Sequence, residues 1–201
     1  MRTDVIAVSG AERDLAATLR QAEKMAAYEE LTPRATIQLR LLTEEMMQMM
    51  RSITGAMEGD FWIENEEDRY ELHLAVNTRL TSGKRAQLLA TSTSGKNESA
   101  RGLTGWLRDL FDRSADEDVA QFSNAMLNQG FAEHAGGTPL DWEWSMTQYQ
   151  AALNASVQNR EEGAQEAWDE LEKSVVAHAA DEVKVSLKGN LVEMVIYKQL
   201  T

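Results

Sequence analysis

The sequence contains no cysteine, which excludes disulfide bonds, thiolate nucleophiles and cysteine-ligated metal sites. Its three histidines, His73, His134 and His178, are too far apart in the chain to show the paired spacing of a zinc site. No apolar run approaches the roughly 20 residues that a membrane-spanning helix needs. Residues 1–10 are too short and too polar for a secretion signal. We therefore expect a cytoplasmic protein.

Basic residues are also scarce. Lysine and arginine together number 20 against 33 acidic residues, and the formal net charge is −13. A surface that binds the phosphates of a nucleic acid or of an anionic membrane needs an excess of positive charge. The composition therefore argues against both kinds of partner. With 43% hydrophobic residues in a chain of 201, there is enough apolar material for one domain with its own core.

The clearest predicted element is a long helix over residues 33–55. Thr32 can cap its first turn, Pro33 suits the first helical position and Gly55 suits its end. An apolar stripe at 3.6-residue spacing predicts that one face of this helix packs on a core. The stripe consists of Leu39, Leu42, Met46, Met49 and Ile53.

The opposite face of the helix is half apolar and half polar. Ile37 and Leu41 begin it, and Glu44 and Gln48 continue it. Methionines on the helix allow two interpretations, because thioethers fill cores and also adapt to partner surfaces. We favour core filling for these residues, which are Met46, Met47, Met49 and Met50.

Strand-like and helical segments alternate along the rest of the chain. Strands are predicted over 3–9, 60–64, 69–79, 182–187 and 191–200, and further helices over 11–28, 82–90, 101–111, 145–153 and 161–180. Strands at the start, middle and end predict one α+β domain over residues 1–201, a two-layer sandwich. In it, a mixed, mostly antiparallel sheet carries helices on one face. Residues 113–160 are predicted to be a helical or loop insertion.

This order of elements resembles the GHKL ATP-binding fold of gyrase-type ATPases, histidine kinases and anti-sigma-factor serine kinases, and looks closest to the last of these. The resemblance covers about residues 1–112 and 161–201. In that family the long helix carries a Glu and an Asn four residues apart. Glu44 matches the Glu, which activates water or the acceptor hydroxyl, and Gln48 stands in place of the magnesium-binding Asn. Side chains four residues apart on a helix can reach the same triphosphate.

The family's adenine motif, Asp-x-Gly, is expected directly after the first hairpin. Asn77 or Thr78 occupies this region here, and neither the Asp nor the Gly is present. The glycine would let the backbone approach the base closely. The resemblance therefore implies an adenine contact from Asn77 or Thr78 that differs from the family's own.

The family's phosphate motif is a Gly-x-Gly at the start of a helix, where backbone N–H groups bind phosphate. Gly102 matches one glycine, and Thr104 or Gly105 stands for the next. The preceding Gly95 and Lys96, together with Arg101, would complete a phosphate-binding cradle. Without the spaced glycines of a Walker motif, this stretch is not a P-loop, and it is equally typical of a surface turn.

The resemblance implies a degenerate GHKL-like domain that acts as a cytoplasmic regulatory or protein-interaction module, with weak or absent nucleotide binding. The alternative is an active anti-sigma-factor-like serine kinase or ATPase that binds ATP with magnesium, with Glu44 as base and Gln48 as metal ligand. Both residues can also be plain surface side chains. The expected partner is a protein, and a homodimer stays open.

Two tryptophans and a histidine outside these motifs also need an interpretation. Trp142 and Trp144 can anchor a partner or close one end of the core. A third possibility is a purely structural role, in which the acidic surface and the 113–160 insertion bind the partner. His73 is expected to be exposed, because it alternates with the apolar residues of its strand.

Overall fold

The fold is known from a computed structural model, in which the described residues are 1–9, 11–54, 58–77, 141–161, 163–188 and 191–200. They form an α+β fold with a six-stranded antiparallel sheet and several helices, which is compatible with a two-layer sandwich. The strands are β1 (Ile6–Val8), β2 (Gly59–Glu66), β3 (Arg69–Asn77), β4 (Asp141–Ser145), β5 (Glu182–Lys188) and β6 (Leu191–Gln199). The helices are α1 (Glu12–Tyr28), α2 (Pro33–Thr54), α3 (Met146–Gln158), α4 (Ala164–Glu172) and α5 (Val175–Ala179).

The strands lie in the order β1-β2-β3-β6-β5-β4, and each neighbouring pair is antiparallel. We expected a mixed sheet, and the described strands include no parallel pair. The reason lies in the connection between β1 and β2, which consists of two helices. Because α1 and α2 are joined by a short connection, they run antiparallel and return the chain to the end of the sheet where β1 finished.

Two backbone details set the register of the β2–β3 hairpin. Its turn residues, Glu67 and Asp68, have φ values of 49° and 66°, the left-handed conformation that matches the twist of two-residue hairpin turns. At the other end of the hairpin, Gly59 lies close against β3. A Cβ at this position would lie 2.5 Å from the carbonyl oxygen of Ala75, so this start of β2 has room only for glycine.

The core lies between one face of the sheet and the helices. Side chains from β2, β3, β5 and β6 form a single cluster with four residues of the apolar stripe of α2, as the spacing of that stripe predicts. The four residues are Leu39, Leu42, Met46 and Met49, and the side chain of Ile53 lies outside the described part of the structure. Ile37, on the opposite side of α2, is 66% exposed. The interpretation of the methionines as core residues is confirmed where side chains are described. The buried residues of α2 include Leu39, Leu42, Met46, Met47 and Met49.

The ends and the interior of α2 follow ordinary helix chemistry. Thr32 accepts a hydrogen bond at Oγ1 from the Ala35 amide over 3.3 Å, so the predicted cap is present. The buried hydroxyl of Thr43 donates to the Leu39 carbonyl over 2.8 Å, which satisfies the one polar group placed on the core side of this turn. Within the described ranges, no helix is both long and apolar enough to cross a membrane.

Residues 141–160, from the segment predicted as an insertion, contribute to the sheet and the core. We did not predict β4, which pairs with β5 at the sheet edge. Trp144 is 4% exposed and belongs to the main core, so the core interpretation of this tryptophan is confirmed. The Trp142 side chain lies outside the described part of the structure. The boundaries 113–160 of an insertion stay a prediction.

The junction between β4 and α3 is tied to the C-terminal hairpin. Ser145 caps α3, because its Oγ accepts from the Gln148 amide over 3.3 Å. The same hydroxyl donates to the Glu182 carboxylate over 2.8 Å, and that carboxylate also accepts from the Thr147 amide over 3.2 Å. A carboxylate at a helix N-terminus is favourable because the unpaired amides there carry partial positive charge.

The helix predicted over 161–180 is wrong as a single element. Two helices, α4 and α5, occupy this range, and Lys173 and Ser174 between them are not helical. The Ser174 hydroxyl accepts from the Ala177 amide over 3.3 Å and so caps a new helix start. The apolar spacing continues across this break, which explains why the pattern alone indicates one helix.

Replacing Leu42 with alanine tests the assignment of the buried face of α2. Leu42 is fully buried, so Leu42→Ala should lower the free energy of unfolding by about 2–5 kcal/mol. The matched variant Ile37→Ala, on the exposed side of the same helix, should change it by no more than about 0.5 kcal/mol. Urea unfolding followed by circular dichroism measures both values. Equal losses in the two variants would contradict the assigned orientation of the helix.

Candidate functional site

The outer face of α2 carries the two residues that the sequence places in a catalytic site. Glu44 is half-buried and Gln48 is exposed, and both lie on the side of the helix opposite Leu42 and Met46. The amide Nε2 of Gln48 donates to Glu44 Oε1 over 3.3 Å. The two side chains therefore lie one helical turn apart and bond to each other. Their roles in catalysis and metal binding stay predictions.

A second carboxylate makes this part of α2 locally acidic. Burial raises the pKa of the Glu45 carboxyl, and the neighbouring charge of Glu44 raises it further. A raised pKa means that the folded protein holds the proton of Glu45 to higher pH than the unfolded chain does. The contribution of Glu45 to stability is therefore greatest below its ordinary pKa of 4.5 and is lost as the pH rises through the raised value.

One of the two residues predicted to contact adenine, Asn77, lies at the end of β3. Asn77 ends β3 and pairs with Leu191. The preceding Val76 pairs with Gly59, where β2 begins shortly after α2 ends at Thr54. The start of β2, shortly after α2, and the end of β3 therefore lie at the same end of the sheet.

Other predicted site residues lie outside the described part of the structure, as does the side chain of Asn77. The adenine and phosphate contacts of these residues stay predictions. They are Thr78, Gly95, Lys96, Arg101, Gly102 and Gly105.

A different cluster of aromatic and charged side chains lies on the sheet face that points away from the core. Trp62 and His73 are paired across β2 and β3, and their rings stack with centroids 4.7 Å apart and planes 7° apart. His73 Nδ1 lies 3.1 Å from Glu193 Oε1, on β6. His73 Nε2 lies 3.5 Å from Glu71 Oε2 but forms no hydrogen bond.

The prediction that His73 is exposed is wrong. Its side chain is 12% exposed, although it does lie opposite the apolar residues of β3 as the alternation indicates. The stacked indole of Trp62 and the carboxylates of Glu71 and Glu193 lie around it. A residue on the outer face of a sheet can thus be covered by its cross-strand neighbours.

Two arginines lie over aromatic rings of this same face. Arg2 places its Cζ 4.9 Å from the ring centroid of Trp62, and its Nε lies 3.5 Å from Glu64 Oε1. The Trp62 indole N–H donates to that same Glu64 oxygen over 2.8 Å. Each contact is of the kind that contributes modestly at an exposed site.

The second arginine repeats the arrangement. Arg69 places its Cζ 4.6 Å from the ring centroid of Tyr197, and its Nη2 lies 3.3 Å from Glu71 Oε1. Because Glu71 also lies beside His73, it links this group of side chains to the stacked pair of Trp62 and His73. The described residues therefore hold two guanidinium groups on one sheet face, each between a ring and a carboxylate.

Two open cavities lie among the described residues, and Arg69 and Tyr197 line the smaller one. One of about 480 Å³ lies between α2 and α5, beside Leu41 and Val175. The other, of about 270 Å³, lies beside Tyr197 and Asp181. Burial raises the pKa of Asp181, but hydrogen bonds from the Gln199 amide and the Lys198 ammonium lower it by more, so the pKa lies below its ordinary value.

Within the described ranges, no three histidine or acidic side chains are grouped so that they could hold a metal ion. Comparisons with protein-family models, with curated proteins and with solved structures find no match to this chain. The candidate roles of Glu44 and Gln48 therefore depend on the sequence resemblance and on their positions on α2.

Neutralising Glu44 should lower the pKa of Glu45 toward its ordinary value, because the charge of Glu44 is one cause of the raised pKa. NMR titration of the side-chain carboxyl carbons measures this in Glu44→Gln. Stability should then fall less steeply as the pH rises above 4.5. Glu23→Gln, which removes an acid of α1 that pairs with Arg40, should leave the Glu45 titration unchanged. An unaltered Glu45 pKa in Glu44→Gln would contradict the arrangement.

Proposed function

We propose that this chain is a GHKL-like regulatory module that acts by binding another protein, and that its nucleotide site is weak or lost. The order of elements supports this proposal: a strand, two helices and a hairpin come first, and a second hairpin ends the chain. The second hairpin lies beside the first through the pairing of β6 with β3. The helices of the fold contribute to the core on one face of the sheet.

The hydrogen bond between Gln48 and Glu44 is the observation that carries the proposal of a weakened site. This bond holds the Gln48 amide beside the Glu44 carboxylate, so the side chain that stands in place of the metal ligand is already engaged with its neighbour. Magnesium demands near-ideal octahedral geometry at short distances, and Gln is one methylene longer than the family's Asn. The absence of Asp and Gly directly after β3 supports the same conclusion.

Exposed apolar side chains on the helical layer support a protein partner. Tyr28 is 71% exposed at the end of α1, and Ile37 is 66% exposed on α2. Val175, 42% exposed, lies with Leu41 beside the larger of the two cavities. Ile37 and Leu41 lie four residues apart on α2 and so share one helix face, and neighbouring apolar groups are typical of interaction sites, whereas scattered ones are ordinary.

Calorimetric titration of ATP, with and without magnesium, tests the proposal. We expect no binding tighter than tens of micromolar under either condition, and no change in Gln48→Ala, because the altered pair supplies little metal affinity. Glu30→Gln, an exposed change in the turn between α1 and α2, serves as the control for nonspecific effects. Tighter binding that requires magnesium and is lost in Gln48→Ala would contradict the weakened site.

The second candidate function is that of an active serine kinase or ATPase, which the partly exposed carboxylate of Glu44 favours. In that case Glu44→Gln should reduce ATP turnover by about a hundredfold or more, because it removes the general base. The melting temperature should stay nearly unchanged. Glu45→Gln alters the adjacent acid and should retain turnover. A wild-type protein without measurable ATP turnover would eliminate this candidate.

A further inference from the structure

We infer that the sheet face turned away from the helices is a docking surface for an arginine-rich segment of a partner protein. We call it the outer sheet face and define it by Trp62, Glu64, Glu71, Glu193 and Tyr197, which lie on β2, β3 and β6. This inference goes beyond the proposed function, because the surface lies on the opposite side of the sheet from α2. It stands whether or not the chain binds a nucleotide.

The chain's own arginines show which group this face accepts. Arg2 lies over Trp62 and beside Glu64, and Arg69 lies over Tyr197 and beside Glu71. Both guanidinium groups therefore use the same combination of an aromatic ring and a carboxylate. The planar guanidinium suits this combination, because it stacks on a ring while its N–H groups point sideways toward an acid.

Neither arginine is held tightly in place. Their side chains are 54% and 56% exposed, for Arg2 and Arg69 respectively. Ion pairs and cation–π contacts at such exposure contribute little to stability. A guanidinium from a partner can therefore replace either one at small cost, and it would find the ring and the carboxylate already in position.

Charge complementarity favours a basic partner on this face. Acidic side chains outnumber basic ones on the outward positions of β2, β3 and β6, and the whole chain has a net charge of −13. That field attracts cationic segments and repels nucleic acids and anionic lipids. The outward acidic residues of these three strands are Asp60, Glu64, Glu66, Glu71 and Glu193.

The rings select arginine over lysine within that class of partner. Charge alone attracts both cations equally. An ammonium group is compact and strongly hydrated, whereas a guanidinium is planar and weakly hydrated, so stacking on Trp62 and Tyr197 favours arginine. The expected occupant is therefore a segment that carries several arginines, in place of the chain's own Arg2 and Arg69.

Competition with the internal arginines gives the sharpest test. A fluorescein-labelled octa-arginine peptide is titrated against the full chain at about 0.15 M salt and followed by fluorescence anisotropy. The double variant Arg2→Ala with Arg69→Ala vacates both positions. The matched variant Arg20→Ala with Arg34→Ala removes two exposed arginines of the helices and so makes the same change in net charge. We expect the first variant to bind the peptide about fivefold more tightly than the second.

Removal of the rings gives an independent measurement. Trp62→Leu with Tyr197→Leu should weaken octa-arginine binding about fivefold and abolish the preference over octa-lysine. Tyr28→Leu, which removes an exposed ring of the helical layer, should change binding by less than about twofold. Thermal melting followed by circular dichroism verifies that each variant is folded.

Equal octa-arginine affinity in the two arginine double variants, or no measurable binding in either, would overturn the inference. The comparison uses only exposed positions, so it remains decisive if the double ring variant fails to fold. The result is also separable from the proposed function. Tight ATP binding would remove the proposed function and leave the peptide comparison unaffected, whereas a failed peptide comparison would not alter the ATP titration.

Discussion

The antiparallel pairing of β3 with β6 joins the first hairpin of this protein to the last. It runs from the pair of Arg69 and Gln199 to the pair of Asn77 and Leu191, so it uses the full length of both strands. The strands are far apart in sequence, and their pairing places β1 and β2 on one side and β5 and β4 on the other. Without it, the described strands would form two three-stranded sheets in place of one six-stranded sheet.

One consequence of that pairing is a sheet with two chemically different faces. On the inner face, Leu72 and Leu74 lie opposite Ile196 and Met194, all fully buried under the helices. On the outer face, the intervening residue His73 lies beside Glu193. Because side chains alternate along each strand, the register that aligns the core residues also aligns these charged and aromatic neighbours.

The parts of the fold that depend on local pattern could be predicted from the sequence. The apolar stripe and the Thr32–Pro33 start locate α2, predicted over 33–55 and found over Pro33–Thr54. The alternation in β2 and β3 predicts their hairpin. By contrast, β4 is short, and no local signal identifies its pairing with β5, which lies about forty residues later in the chain. The Ser174 cap was missed because apolar spacing continues through it.

Among the side chains of the candidate site and the outer sheet face, local contacts could also be predicted and long-range ones could not. The one-turn separation of Glu44 and Gln48 follows from helix geometry alone. The stack of Trp62 on His73 could have been found, because a two-residue turn at Glu67 and Asp68 places those residues opposite each other. The contact between His73 and Glu193 could not, since it depends on a register between distant strands. Predicting exposure from alternation alone ignores how far a cross-strand indole reaches.

The position of β6 at the centre of the sheet also bears on how the chain folds during synthesis. When β3 leaves the ribosome, its outer edge has unpaired backbone groups, and its partner strand is not yet made. The N-terminal hairpin and its two helices must therefore wait with an unpaired strand edge until residues 191–199 emerge. The fraction of newly made protein that aggregates should therefore depend on how long this edge stays unpaired and on whether a chaperone covers it during that time.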